Sequence, residues 1–403
     1  MILTIIFASL AVLSLTITLW QLVVASRFPL HRRVANSNFF PAVTLLKPLK
    51  GADAETAECL RSWLTQEYPG PVQILFGAAS ADDPVCGVVR RLIAEHPNAQ
   101  AELVICGESL GANAKVSTLI QLQRLARHGI SVVSDADVRA PRDLLINVVA
   151  PFLEADVGLV NCFYQLANPA TLAMQWEAIA TNADFWSQVL QSQSLKPLEF
   201  ALGAVMAIRR EPLEQLGGFA AVVDFLADDY QLGNLIARNG GRIVLCPVTV
   251  ECREGPMGWR GVWQHQLRWA RTIRCCQPLP FFFSLLGNAT LWPLLLWVFG
   301  PAGDRSLAAL LNSPTLARHS FVAGRIWRWE FILLIACALV RILTALFLQK
   351  RLTRATGHLA YWWLVPIKDL LQALIWGFAF AGNGVAWRGE RFRVLPGGKL
   401  LKI

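Results

Sequence analysis

The sequence has no C-x-x-C pair and no histidine at zinc-ligand spacing, so a structural zinc site is not part of its design. Its nine cysteines, at 59, 86, 106, 162, 246, 252, 275, 276 and 337, are odd in number and scattered, a usage that fits a reducing compartment. Cys275-Cys276 reads as ordinary buried or interfacial cysteine, with acylation as the alternative. No nucleophilic Ser or Cys motif is evident. Nor is there a recognisable nucleic-acid module or basic-aromatic stripe to absorb the net charge of +9; anionic lipid headgroups and a nucleotide account for it better. The longest absence is of charge itself, since residues 1–26 carry none.

That uncharged stretch is followed at once by Arg27, His31, Arg32 and Arg33. It is too long for the apolar region of a secretory signal and lacks a basic leader and a small-residue cleavage site. It predicts a retained transmembrane anchor over 1–26, with its basic flank cytoplasmic. Hydrophobic residues make up 54% of the chain, more than a soluble domain usually carries. Further apolar segments fall at 279–300, 329–348 and 359–383. Pro280, Gly287, Asn288 and Pro293 interrupt the first, which predicts a re-entrant or interfacial element. If it crossed, Arg305, Arg318, Arg325, Arg328 and the basic residues Arg388, Arg391, Arg393, Lys399 and Lys402 would all face outward. If it returns, those are cytoplasmic and only Lys350, Arg351 and Arg354 lie outside. The expectation is a membrane region over 278–386, spans at 329–348 and 359–383, and a basic cytoplasmic tail over 387–403. Arg341 and Lys368-Asp369 fall within spans, where they either neutralise one another or serve an acceptor.

Between 38 and 277 short apolar runs alternate with amphipathic stretches, the pattern of an α/β layer with a mainly parallel sheet. Strands are expected at 42–46, running into a Lys47-Pro48 turn, and at 72–76, 102–106, 130–133 and 157–161; helices are expected at 53–66 and 141–154. Within the run Val132-Val133-Ser134-Asp135-Ala136-Asp137, an apolar strand stops at two carboxylates one residue apart. At the carboxyl end of a strand in an open sheet, such a pair can clamp a divalent cation on a diphosphate; capping of the next helix is the alternative. Lys115 follows the small-residue loop Gly111-Ala112-Asn113-Ala114, placed to meet a phosphate or a base, or simply a surface lysine after a turn. Gly203, within 200–206, allows close backbone approach to a sugar ring, or belongs to a packed strand. Leu216-Gly217-Gly218-Phe219 reads as a helix stop. Asp228-Asp229-Tyr230 opens a helix-like stretch; adjacent carboxylates raise each other's proton affinity, which suits a general base, and they also complement a helix dipole. His265, Arg268 and Trp269 gather on a helix just before the membrane, as they would on an interfacial amphipathic helix.

In order along the chain, Leu45-Leu46-Lys47-Pro48-Leu49-Lys50-Gly51, the strand end at Asp135, Asp229 in the D-D-Y site and Arg268-Trp269 in the R-W site resemble the inverting glycosyltransferases of family 2 and its neighbour family 21. The likeness is greatest to the ceramide glucosyltransferase-like and bacterial hopanoid-associated members. It implies a GT-A type nucleotide-sugar-binding domain over 38–277 with transmembrane helices at both ends. It also implies that Asp135, helped by Asp137, binds Mg2+ or Mn2+ on the diphosphate of a UDP-sugar, and that Asp229, beside Asp228, is the general base. Lys115, His265, Arg268 and Trp269 would shape the donor, leaving-group and acceptor side. His265 stands where the pattern usually has Gln or Arg. The family's first aspartate aligns with Ser80, and Asp82 and Asp83 follow two and three residues later. The implied reaction is a single displacement that moves glucose or N-acetylglucosamine to a hydroxyl of a lipid acceptor, hopanoid or ceramide. The segment 385–393 looks like the family's terminal motif, returning to the diphosphate or acceptor, or acting as a basic surface anchor. Polysaccharide synthesis would need more spans; a silent nucleotide-sugar or lipid-binding protein is the rival from another class.

Overall fold

The computed structural model describes residues 2–34, 38–310, 323–387 and 389–403, with backbone alone at 301–310 and 323–328. Arg318 and Arg388 lie outside the described residues, as do the side chains of Arg305, Arg325 and Arg328. The chain forms two compact units. A helical unit holds Met1–Arg27, Gln175–Gln191 and Trp259–Asn383; a sheet unit holds Phe28–Met174, Ser192–Gly258 and Gly384–Ile403. The contiguous domain expected over 38–277 is therefore interrupted, and the segment after 383 belongs with the sheet.

In chain order, α1 (Ile2–Arg27) precedes β1 (Val43–Leu49), α2 (Thr56–Leu64), β2 (Val72–Ala78), α3 (Pro84–Glu95) and β3 (Gln100–Ile105). There follow α4 (Ala114–Gln123), β4 (Ile130–Ser134), β5 (Val138–Arg139), α5 (Leu144–Val149), β6 (Val157–Leu166), α6 (Leu172–Ile179) and α7 (Trp186–Leu195). Then come β7 (Val205–Arg209), α8 (Arg210–Gln215), α9 (Asp228–Arg238), β8 (Arg242–Cys252), α10 (Trp259–Cys276), α11 (Pro278–Ser284) and α12 (Leu291–Leu310). The last elements are α13 (Ala323–Thr353), α14 (Leu364–Phe380), β9 (Gly384–Trp387), β10 (Glu390–Val394) and β11 (Leu400–Lys402).

The main sheet runs β3-β2-β1-β4-β7-β6-β8-β5, with β7 and β5 antiparallel to their neighbours. β1 is buried at every position, as a central strand covered on both faces must be. It does not turn at Lys47-Pro48 but continues to Leu49 beside β2. Its pairing with β4 ends at Leu46, so Pro48 falls where that side has become an edge, which a residue lacking an N–H tolerates. Leu60 and Trp63 of α2 are buried at helical spacing, and the Trp63 indole donates to the Val138 carbonyl at 3.0 Å. Removing a ring so placed costs about 3–5 kcal/mol.

In the helical unit, α1 and the Trp329–Thr353 part of α13 are long and apolar enough to cross a membrane. The segment 278–300 is broken, as its prolines and Gly287-Asn288 foretold: the two halves are bent by 64°. The span expected at 359–383 is shorter, a helix of 17 residues or about 26 Å, less than a bilayer core. The direction of α13 also differs from expectation. A side chain at Gly300 would lie 3.5 Å from Thr4 and 3.6 Å from Glu330, while Arg351 donates to the carbonyls of Ala25 (3.0 Å) and Ser26 (2.8 Å). α13 thus runs parallel to α1, so Arg351 lies at the Arg27 end rather than the opposite one. Arg341, Lys368 and Asp369 do not neutralise one another alone. Arg341 holds Asp369 and also Asp184 (2.8 and 2.9 Å), and Lys368 contacts both acids. Asp184 comes from the π-helical turn 180–185 between α6 and α7.

Candidate active site

β4 is buried at all five positions and delivers Asp135 to its carboxyl end, where the Asp135 amide donates to the Ala204 carbonyl at 3.3 Å. Asn113 caps α4, its side-chain oxygen accepting the Val116 amide at 3.1 Å. That helix start turns Lys115 inward. Its side chain is only 8% exposed, with the ammonium 2.8 Å from Asp135 Oδ1 and 3.2 Å from Asp228 Oδ2. Burial alone would lower the Lys115 pKa, but the Asp135 and Asp228 charges outweigh it and hold the ammonium well above the usual lysine range. Lys115 is thus a tie between two motif carboxylates.

α9 opens on Asp228 and Asp229, with no side-chain cap from Ala227 before them. Asp228 is buried, paired with Lys115 and 3.5 Å from Asn113 Nδ2. Asp229 is half-buried and has no ion pair among the described residues; its Oδ1 accepts the Tyr230 amide at 2.8 Å. A Cβ at Gly203 would come within 2.7 Å of Asp229 Oδ2, so any larger residue there would have to push this carboxylate aside. Burial, then the neighbouring Asp228 charge, pushes the Asp229 carboxyl up to about 6. One carboxylate of the pair is locked by a lysine and the other is left basic and unpaired.

Asp137 is pushed up to about 7 by burial, by Asp135 and by Glu254. Against this excess of carboxylate stands Lys47, wholly buried in β1, which donates to Ser134 Oγ at 3.2 Å and to the Asp135 carbonyl and lies 5.1 Å from the Trp63 ring centre. Burial lowers Lys47 to about 8, with Asp137 and Asp135 opposing. Among the described residues no group of three or more His, Cys, Asp or Glu side chains has the arrangement of an all-protein metal site. Asp135 and Asp137, oxygen donors just beyond the end of β4, are instead of the kind that hold an ion jointly with a substrate diphosphate, the usual way Mg2+ is held.

Ser80, Asp82 and Asp83 do not join this cluster. Ser80 and Asp82 are exposed, the Ser80 hydroxyl accepting the Asp82 amide at 3.2 Å. Asp83 caps α3 through the Val85 amide (2.9 Å) and accepts the Gly51 amide (3.0 Å), tying the end of the L-K-P-L-K-G motif to that helix. His265, Arg268 and Trp269 lie on α10, in the helical unit. There the buried Glu177 of α6 accepts from Gln266 Nε2 at 2.8 Å and lies 2.8 Å from His265 Nδ1, whose ring packs edge-on against Trp269. Sequence reasoning missed Lys47 and Glu177 as site-building residues. The signal for Lys47 was a cation inside an otherwise apolar strand; Glu177, among apolar residues of a helix, gave a similar one.

Comparison with known proteins bears on the fold and the family. The mannosyltransferase from Pyrobaculum calidifontis, solved with GDP-Man and Mn2+, superposes with a TM-score of 0.51 at 24% identity, covering 84% of this chain and 98% of that one. The likeness shows the fold to be of the GT-A type. Ceramide glucosyltransferase 3 of Caenorhabditis elegans is 24% identical over 216 residues, 53% of this chain and 47% of that protein. The Candida albicans ceramide glucosyltransferase is 30% identical over 125 residues, 28% of this chain and 23% of that one. The chain thus matches about half the length of its nematode relative and less of the yeast one. The model of Glycosyl transferase family 21 matches residues 3–400, and the chain belongs to that family.

Proposed function

We propose that this chain is a membrane-bound inverting glycosyltransferase that moves glucose or N-acetylglucosamine from a UDP-sugar to a hydroxyl of a lipid, a hopanoid in the first place and ceramide in the second. The observation that carries the reading is Asp229, an unpaired, half-buried carboxylate raised to about 6 beside an ion-paired twin. Asp229 takes the proton of the acceptor hydroxyl as its oxygen bonds to the anomeric carbon and the bond to the nucleoside diphosphate breaks. A single displacement of this kind inverts the anomeric centre. Asp228 is ion-paired with Lys115, and a carboxylate at that position makes Asp229 more basic. Arg268, with His265 and Trp269 on α10, is assigned to the leaving-group and acceptor side by the family resemblance. Asp135 and Asp137 would hold Mg2+ or Mn2+, which when bound neutralises the diphosphate.

The two long apolar helices support a place in a membrane, proposed as a bacterial inner membrane with the sheet unit on the cytoplasmic side. Asp229→Asn should abolish transfer while binding of UDP-sugar stays nearly intact; equal loss of both would remove Asp229 from the role of base. A metal-dependent burst of free UDP on adding lipid separates this reading from a silent nucleotide-sugar binder, a possibility that the exposed Ser80 favours. Mass spectrometry of lipids from cells with and without the intact gene decides between hopanoid and ceramide.

A further inference from the structure

We infer that the segment Gly384–Ile403 is a positioning element of the active site, clamping the loop that presents Asp228 and Asp229. The segment folds as a three-stranded antiparallel sheet, β11-β10-β9. Val385, Phe392, Val394 and Leu400 are buried while Arg391 and Arg393 are exposed, so it is docked by an apolar face and not held by charge alone. Gly397 and Gly398 have φ of 79° and 88°, the left-handed region that favours glycine, and they form the turn that brings β11 to the loop.

Most of the contacts to this segment are backbone contacts, specific in position. The Leu226 amide donates to the Gly398 carbonyl at 3.1 Å, and the Leu400 amide donates to the Asp224 carbonyl at 2.7 Å. Phe225 pairs in antiparallel fashion with Lys399, and Gln231 Nε2 donates to the Gly397 carbonyl at 2.5 Å. On its other side the same loop is held by the one that starts α4. There the Asn113 amide meets the Val223 carbonyl (2.8 Å), Asn113 Nδ2 meets the Phe225 carbonyl (2.8 Å) and the Ala112 amide meets Asp224 Oδ1 (3.1 Å). Residues 223–226 are therefore sandwiched between the Gly384–Ile403 sheet and the loop that leads to Lys115. Ala227 supplies no side-chain cap to α9, so the first turn of that helix takes its position from these two flanks. Asp229 must sit against Gly203, where a displacement of about 1 Å is enough to cost about 100-fold in rate.

This inference rests on the proposed role of Asp229, and its test separates the two. In the full-length protein in detergent micelles, Leu400→Pro removes the amide that holds Asp224, whereas Leu400→Ile keeps both that amide and the buried apolar volume. Hydrogen exchange across 222–231 should rise in the proline variant and not in the isoleucine one, a readout that needs no activity. With UDP-glucose or UDP-N-acetylglucosamine as donor, Leu400→Pro should lower kcat by about 10- to 100-fold with donor KM within about twofold, and Leu400→Ile should stay close to the parent. Equal loss in both variants, a loss carried by KM, or unchanged exchange at 222–231 overturns the clamp. If Leu400→Pro does not fold, Gln231→Ala decides, since it removes one side-chain contact to Gly397; raised exchange at 222–231 with lower kcat supports the clamp, and neither change overturns it. A parent protein that transfers no sugar would defeat the proposed function while the exchange measurement still decides the clamp.

Discussion

Two aspartates side by side in sequence end up with different chemistry because of one lysine. Lys115 takes Asp228 and leaves Asp229 unpaired, and burial with the Asp228 charge then lifts the Asp229 carboxyl to about 6. A general base works deprotonated, so kcat/KM should climb as pH rises through about 6 and level off above it. A pH–rate profile of the full-length protein checks this; a flat profile from pH 5 to 8 would mean that another group takes the proton. Asp135 and Asp229 were legible in the sequence because a strand end and a helix start are places where the local pattern itself points a carboxylate. Lys47 was not, because Lys-Pro after an apolar run reads as a turn, and only the sheet neighbours reveal a strand that continues. The salt-bridge partners of Lys115 were equally invisible, being 20 and 113 residues away.

At the scale of elements, the helical unit is fastened by charge where lipid-facing helices have little hydrophobic reason to choose partners. Arg341 of α13 meets Asp369 of α14 and Asp184 of the π-turn, and Asp369 also accepts the Thr290 hydroxyl at 2.7 Å and, through its carbonyl, the Asn288 amide at 2.7 Å. The network so pins the break between α11 and α12 to two other helices. Its two cations and two anions balance, and every one is buried, so deleting a single member leaves an uncompensated charge. Arg341→Ala should destabilise the protein by about 3–5 kcal/mol, seen as a lower Tm in detergent, while paired removal of Arg341 and Asp369 should cost less than the sum of the two single changes. Strict additivity would show that the charges do not act together. The sequence displayed the ionisable residues at 341, 368 and 369 and the breaks at Gly287-Asn288, because both are rare in apolar helices. Asp184 escaped it, since residues 175–191 carry no long apolar run and join the helices only through tertiary contacts.

For the whole molecule, a count of positive charges and the packing of the helices give opposite directions to α13. The count sums arginines over whole loops, whereas the packing sets Arg351 on the carbonyls of Ala25 and Ser26, at the end of α1 from which the chain enters the sheet unit. In a helical unit that crosses a membrane, Arg27 and Arg351 share one face, which the proposed orientation makes the cytoplasmic one. Thiol labelling can decide, because seven of the nine cysteines are buried and only Cys275 and Cys276 are partly accessible. With those two replaced by serine, Arg354→Cys places a reporter at an exposed position just past α13, and Arg391→Cys places another at an exposed position in the sheet unit. A membrane-impermeant maleimide should label both in inverted vesicles and neither in sealed right-side-out vesicles. Labelling of the residue 354 reporter from the opposite side to the residue 391 reporter would return α13 to the direction implied by the charge count, and with it separate Arg351 from the end of α1.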